Sequence, residues 1–528
     1  MQRFLQNYEL KGFICDVLSG DKKSLYALTR TCRGFVEPAI DYLWHSIDSF
    51  EPLVACLPVD SWREERHRGM FSNKYTIVYP NRPSGFTNED LEDYLNHAPN
   101  IREFRFQHKR QMRFLSPELL ASLQAVTGGQ LGALSPRLSS FEWAPDIQDR
   151  LLTPKVHKQI PLTLLLFVGD GVNSLKFPVE KDLDLQPILS TSGRLLGLRS
   201  FTLSGDVNTS LEAPLSPFPW SNLETISLTG PSEVALSHVA GLPRLATIHI
   251  KYLRNLDLEI DADIVTSDPS SFSALRQAFI HGDEIHYAAK FFHYLPSTNS
   301  VRFAHCSTSA SSSVEECRLT IDILEQQLNP RTLERLEVLD FENDGSGAFS
   351  PTEILVEGDD ADVAGEPAID MSPLFKFGHL KTLILCVGPR VLVTESGIGR
   401  IPKNWPGMEH LDLCGTFPNG RRPSIRYRHL LELVDNCKAL RVLGLPFDGT
   451  NLDVDLEDTH DSGASLKTLR VCGSPIRDVV LMQAVIRRTL PHLKDLDTFY
   501  HGWLDVAGGS DSRWSEVSHV WNHTEFAS

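Results

Sequence analysis

One apolar beat returns along nearly the whole of this 528-residue chain and limits what it can fold into. Its form is an apolar residue, two variable positions, a second apolar residue, one variable position and a third apolar residue. It reads Ile101/Phe104/Phe106, Leu138/Phe141/Trp143, Leu198/Phe201/Leu203, Leu223/Ile226/Leu228 and Leu245/Ile248/Ile250. Weaker copies stand at Leu275/Ala278/Ile280 and Val301/Phe303. Further copies follow at Leu336/Leu339/Phe341, Leu380/Leu383/Leu385, Met408/Leu411/Leu413, Leu440/Leu443/Leu445, Leu466/Leu469/Val471 and Leu493/Leu496. The closest starts are about 22 to 32 residues apart. The last two apolar positions of each beat alternate as on a strand, and the first packs the entry turn. The segments between beats carry helical spacing, as at 428–439 (His429, Leu430, Leu433, Val434, Cys437) and 479–490. Strand, crossover and helical return make a stacking unit whose sheet is parallel.

This pattern resembles leucine-rich repeats, in a degenerate form. The Asn expected after the strand is replaced by Pro231, Gly388, Thr416, Asp448 and Ser474, so no asparagine ladder is expected. Leu383, Leu411, Leu443 and Leu469 should be buried. The residues between the second and third apolar positions should face outwards on the concave side: Ser227, His249, Asp340, Ile384, Asp412, Gly444 and Arg470. Among them Asp340, Asp412 and Arg470 are candidate contacts for a target protein. A generic α/β fold is the competing reading, which the recurrence of the beat disfavours.

Ahead of the repeats lies a different pattern. Leu10, Phe13, Ile14, Val17 and Leu18 form one helical stripe. Gly20 can end that helix and Asp21 can cap the next. Leu25, Leu28 and Cys32 continue the spacing, and Gly34 and Pro38 suggest a kink or break. Ile40, Leu43, Trp44 and Ile47 give another apolar face. Leu25, Leu28, Thr31-Cys32-Arg33, Phe35 and Leu43-Trp44 together resemble an F-box, in the fungal form with Glu37-Pro38-Ala39. A plain helical bundle with all these residues in its core is the alternative. The resemblance implies docking onto the Skp-type adaptor of a cullin–RING ligase through Leu10, Ile14, Leu25, Leu28, Cys32, Phe35 and Trp44. Gln6-Asn7 stand where that family has Leu-Pro.

The expected fold is therefore α/β, with a small N-terminal helical F-box (residues 1–62) and an irregular leucine-rich-repeat solenoid (75–528). Arg63 to Arg68 reads as a solvated connection, and Ser307 to Ser313 as a loop. Residues 342–367, acidic and Gly-rich, read as an insertion between strands. A length of 528 residues exceeds one ordinary core but suits a repeat array. The formal charge of −17 argues against a general nucleic-acid binder. The apolar run at 161–168 is too short to span a membrane, and no secretory signal is read. Nine cysteines without CxxC pairing read as reduced thiols of an intracellular protein, cytoplasmic or nuclear.

The search for chemistry returns little. There is no GxxxxGK[ST], HExxH or GxSxG. His281, His286 and His293 do not fall on one helical face and lack a Cys pair, so no metal site is expected. No cofactor and no catalytic residue are assigned. The resemblance implies a non-enzymatic substrate receptor of an SCF-type ubiquitin ligase, binding the adaptor through the F-box and an unidentified target through the repeats. The alternative is a repeat scaffold with a vestigial F-box.

Overall fold

The computed structural model describes residues 8–68, 74–82, 85–107, 111–144, 159–179, 193, 195–205, 220–254, 271–340, 368–389, 391–415, 423–452, 465–471, 474–497, 513–514 and 516–518. The acidic insertion at 342–367, Gln6-Asn7, Phe341 and Thr416 lie outside them. The chain divides into two compact units, Met1–Leu245 and Ala246–Ser528.

The first unit opens with three helices, α1 (Tyr8–Val17), α2 (Lys22–Thr29) and α3 (Arg33–His45). Asp21 caps α2 as expected, accepting the N–H groups of Lys23 and Ser24. The break expected near Gly34 or Pro38 falls earlier, at Cys32, and α3 runs through Pro38. Only the first turn precedes this proline, so its missing N–H costs one bond and not the helix. Cys15, Leu25, Phe35 and Ala39 close a small core, with Ile14, Leu18, Leu28, Cys32, Tyr42 and Leu43 packed on it.

The chain then enters the repeats without a linker. Strand β1 (Ser46–Ile47) follows α3 directly. The charged stretch from Arg63 is also a strand rather than a solvated connection: β2 (Trp62–Arg68) runs antiparallel to β3 (Lys74–Pro80). Its charges are held by neighbours, with Glu64 3.1 Å from Arg113 and Arg63 over the Tyr79 ring. β4 (Glu103–Gln107) pairs in parallel with β1, while β5 (Gln111–Leu115) pairs in parallel with β3. From β4 the parallel sheet continues through β6 (Ser140–Ala144), β7 (Ser174–Val179), β8 (Ser200–Gly205) and β9 (Thr225–Thr229). β7 carries a copy of the beat that sequence reading passed over, Val172/Leu175/Phe177, all buried. Phe50 packs among Phe104, Phe106, Trp143 and Phe167, with ring centroids 5.2–6.0 Å apart. The first core of the repeats is thus aromatic.

The second unit is a parallel sheet in chain order: β10 (Thr247–Leu253), β11 (Gln277–Gly282), β12 (Phe303–Thr308), β13 (Arg335–Leu339), β14 (Thr382–Cys386), β15 (His410–Asp412), β16 (Val442–Gly444), β17 (Thr468–Arg470) and β18 (Asp495–Asp497). One backbone bond per repeat runs ahead of these strands. The N–H groups of Arg276, Arg302, Glu334, Lys381, Glu409, Arg441, Lys467 and Lys494 each reach the preceding repeat's carbonyl at 2.8–2.9 Å. Leu383, Leu411, Leu443 and Leu469 are fully buried, as the beat requires. Ser313, Thr394 and Asp478 accept N–H bonds at the starts of helices that return the chain. Both units follow the leucine-rich-repeat plan.

The backbone ladder corrects the register of two copies. Leu336 pairs with Leu383, so the beat there is Leu333/Leu336/Val338 and not Leu336/Leu339/Phe341. Leucines three apart offer two frames, and a single copy cannot choose between them. Ala304 and Cys306 likewise take the inward positions assigned to Phe303. Ser307 and Thr308, expected in a loop, end β12 and are buried. The Thr308 hydroxyl donates to the Asp283 carbonyl at 2.8 Å, which lets small polar residues line the sheet. Cys15, Cys32, Cys56, Cys306, Cys317, Cys386 and Cys437 form no disulfide, but Cys414 is disulfide-bonded. Pairing depends on folded distance, which sequence spacing does not display. The intracellular reading loses the support drawn from nine thiols. Among the described residues no helix is long and apolar enough to cross a membrane.

Candidate binding face

In the second unit, one residue of each strand stands between the two buried positions and pairs with its counterpart on the next strand. The row runs His249, Phe279, His305, Glu337, Ile384, Asp412, Gly444, Arg470, Asp497. Parallel register makes this row, because every strand contributes the same position. Its first three members are imidazole and aromatic, and its charges stand further along, at Glu337, Asp412, Arg470 and Asp497.

A cavity of about 440 Å³ opens over the first half. His249 stacks on Phe279 with centroids 4.3 Å apart and planes 5° from parallel. Phe279 meets Phe303 edge-on, and the Arg335 guanidinium lies 4.4 Å above the Phe303 ring. Glu337 accepts from His305 Nδ1 at 2.8 Å and from Arg335 Nε at 2.6 Å. Burial alone would push the Glu337 carboxyl up. The bonds from His305 and Arg335, with their charges, outweigh it and hold the group below the usual carboxylate range. Burial, then the neighbouring His305 and Lys251, lowers the His249 pKa, favouring the neutral ring. At the cavity's edge Tyr252 has a φ of 56°, and its ring meets His281 edge-on at 5.6 Å. A bulky residue in the left-handed region is strained, and here the strain lies beside the cavity.

His281 Nδ1 lies 3.1 Å from the Ser307 hydroxyl, the spacing of a base and its nucleophile. Ser307 is buried completely, and Ser309 engages the other ring nitrogen at 3.0 Å. The hydroxyl therefore does not present itself to a substrate.

Of the three residues expected to contact a target, Asp412 and Arg470 stand in the row and Asp340 does not. Asp340 lies after β13, is only 4% exposed, and is not in the row; Glu337 takes that place. Its Oδ2 accepts the N–H of Gly388 at 2.7 Å and of Ser312 at 3.0 Å, and its Oδ1 accepts the Ser312 hydroxyl. Asp340 thus links three successive repeats, the office an asparagine ladder would fill. Asp412 is in the row but completely buried. It binds Arg470, and its Oδ1 accepts the Cys414 N–H at 3.0 Å. Gly444 stands between them because a Cβ there would collide with the Asp412 carboxylate. Of the other positions expected to face outwards, Ser227 and His249 are half-buried, whereas Ile384 and Gly444 are buried.

At the N-terminal helices the expected adaptor contacts also separate. Leu25 and Phe35 are core; Ile14, Leu28 and Cys32 pack on that core; Leu10 is 41% exposed. Trp44 turns towards the first repeat, stacking on His97 at 4.7 Å and meeting Tyr94 edge-on. Phe13 and Val17, not chosen from the sequence as contacts, are 66% and 68% exposed. With Leu10 they share one face of α1.

No protein-family model matches this sequence, and no curated protein matches it. Among solved structures, an internalin from Listeria monocytogenes is similar at 13% identity with a TM-score of 0.33, covering 82% of this chain and 87% of the internalin.

Proposed function

We propose that this chain is a protein-interaction subunit, docking through its N-terminal helices and holding a target on the repeats of its second unit. In its specific form it is an SCF-type substrate receptor, with α1–α3 as the F-box that meets a Skp-type adaptor. The observation that carries the reading is the apolar face of Leu10, Phe13 and Val17, left in water although the inward residues of α1 already complete a core. Exposed large apolar residues grouped on one helix face mark an interaction site. The cavity over His249, Phe279 and His305 supplies a second face with aromatic and hydrogen-bonding groups suited to a peptide segment. In this reading the chain contributes proximity, and transfer chemistry belongs to other subunits.

Trp44 favours a second reading, a scaffold with no ligase role, because a residue the F-box resemblance assigns to docking is spent on Tyr94 and His97. Co-purification with a Skp-type adaptor separates the two. The substrate-receptor reading expects capture by the wild-type chain and its loss in Phe13→Asp/Val17→Asp. Apolar anchors of this kind are worth more than about 2 kcal/mol at an interface. Both side chains are exposed, so the variant should fold. Failure of the wild-type chain to capture adaptor, or equal capture by the variant, overturns the docking claim.

A further inference from the structure

We infer that Glu284, His286 and Glu316 form a divalent-cation site joining two adjacent repeats. Glu284 precedes the short helix Ile285–Lys290 that follows β11, and His286 lies in its first turn. Glu316 lies in the first turn of the helix Val314–Gln327, one repeat later. One ligand atom from each lies within 4.8 Å of the others. His286 Nδ1 is 3.3 Å from Glu284 Oε2 and 4.0 Å from Glu316 Oε1.

Three observations set this group apart from an ordinary acidic surface. First, the His286 Nδ1 atom is buried and makes no hydrogen bond, although two carboxylates stand beside it. Its side chain is only 13% exposed, so water does not simply replace the missing partner. Second, the carboxylates divide their work. Glu316 Oε2 closes the helix cap, accepting the Ser313 N–H at 2.6 Å, while Oε1 is the oxygen turned to His286. Glu284 occupies the N-cap position of its helix without making a side-chain cap bond. Third, the Glu284 and Glu316 carboxylates converge, one oxygen of each lying within 4.8 Å of the other. Two carboxylates that close repel unless a proton or a cation stands between them.

The donor set names the class of ion. One imidazole nitrogen and two carboxylate oxygens suit zinc or a similar borderline divalent ion; calcium and magnesium take oxygen ligands. Bonds of about 2.0–2.2 Å to a tetrahedral ion put ligand atoms roughly 3.4 Å apart, so the set needs only side-chain rotation to close. Three protein ligands leave a fourth position for water or for a donor from a partner. Two come from one repeat and the third from the next, so an ion here staples the repeats together. The Lys290 ammonium, on the same short helix, lies over the Tyr287 ring at 4.8 Å. Helical periodicity could not reveal the site, because Glu316 joins it only through stacking.

The test uses the full chain, stripped with chelator and titrated with Zn²⁺ and with Co²⁺ as a spectroscopic probe. Free cysteines can also take these ions, and the Co²⁺ spectrum distinguishes them by a thiolate charge-transfer band. We expect one equivalent of Co²⁺ with nitrogen and oxygen ligands and no thiolate band. His286→Ala should lose it. Glu284→Gln and Glu316→Gln should weaken it by at least the roughly 10–100-fold that follows loss of an outer-shell partner. His293→Ala, in the same repeat, should bind like the wild type. Glu316→Gln keeps an amide oxygen for the Ser313 cap, which protects the fold in that arm. Unchanged binding in His286→Ala, a thiolate band, or no binding by the wild-type chain overturns the inference.

Discussion

His305 Nδ1 donates to Glu337 Oε2 at 2.8 Å, between paired register positions of adjacent strands. The bond and the charge of Arg335 hold the Glu337 carboxyl below its usual range against the opposing effect of burial. A carboxylate depressed in the fold contributes stability that is present above its unfolded pKa, about 4.3, and is lost as pH falls through the lower folded value. Glu337→Gln should therefore cost stability at pH 7, and the gap from wild type should narrow below about pH 4. Denaturant midpoints of the two chains at several pH values provide the check. A gap independent of pH would remove Glu337 from the account of this face.

Asp340 gives a prediction of opposite sign. Burial raises its carboxyl above the usual range, and the bonds from Ser312 and Gly388 only partly oppose this. A raised carboxyl costs stability as pH climbs through its unfolded and folded values, so ionised Asp340 is a burden at neutral pH. Asn can accept both N–H groups on one oxygen and donate its amide to the Ser312 hydroxyl. Asp340→Asn should then match or exceed wild type at pH 7, with any advantage closing in acid. Asp340→Ala strands three donors and should cost about 1–3 kcal/mol. If Asn proves as damaging as Ala in thermal unfolding at pH 7, the ladder role assigned to this carboxylate is wrong.

The repeat plan was legible because a parallel sheet imposes one demand, two inward apolar side chains per strand, and the sequence meets it almost every time. Leu411, Leu443 and Leu469 fell where that demand places them. The frame at Leu333 to Leu339 was not legible, since leucines at 333, 336 and 339 satisfy two frames. Glu337 was missed for that reason, and Asp340 was taken in its place. The His249 to His305 cluster was hidden for another. Its members are about thirty residues apart and meet only through strand register. For α1, the stripe from Leu10 to Leu18 was plain, but a stripe does not say which of its edges the rest of the chain will cover. Phe13 and Val17 stay outside because Cys15, Leu25, Phe35 and Ala39 already fill the core.

Asp412 and Arg470 show why recognition cannot be tested by charge reversal at that end of the row. Asp412 is wholly buried, and Arg470, also 3.2 Å from Asp497, is its charge partner. Truncating one member of a buried pair typically costs about 3–5 kcal/mol. Arg470 is partly exposed, so Arg470→Ala should fall towards the lower end of that range. Removing both charges relieves the stranded ion, so Asp412→Asn/Arg470→Met should cost less than the sum of its single changes. A double-mutant cycle on denaturant midpoints, with target capture measured on each folded variant, separates packing from recognition. Strict additivity would mean that the two side chains are not coupled, and capture lost while stability is unchanged would return Arg470 to the binding face. Otherwise the informative substitutions for capture lie at Lys251 and Phe279, beside the cavity and away from this pair.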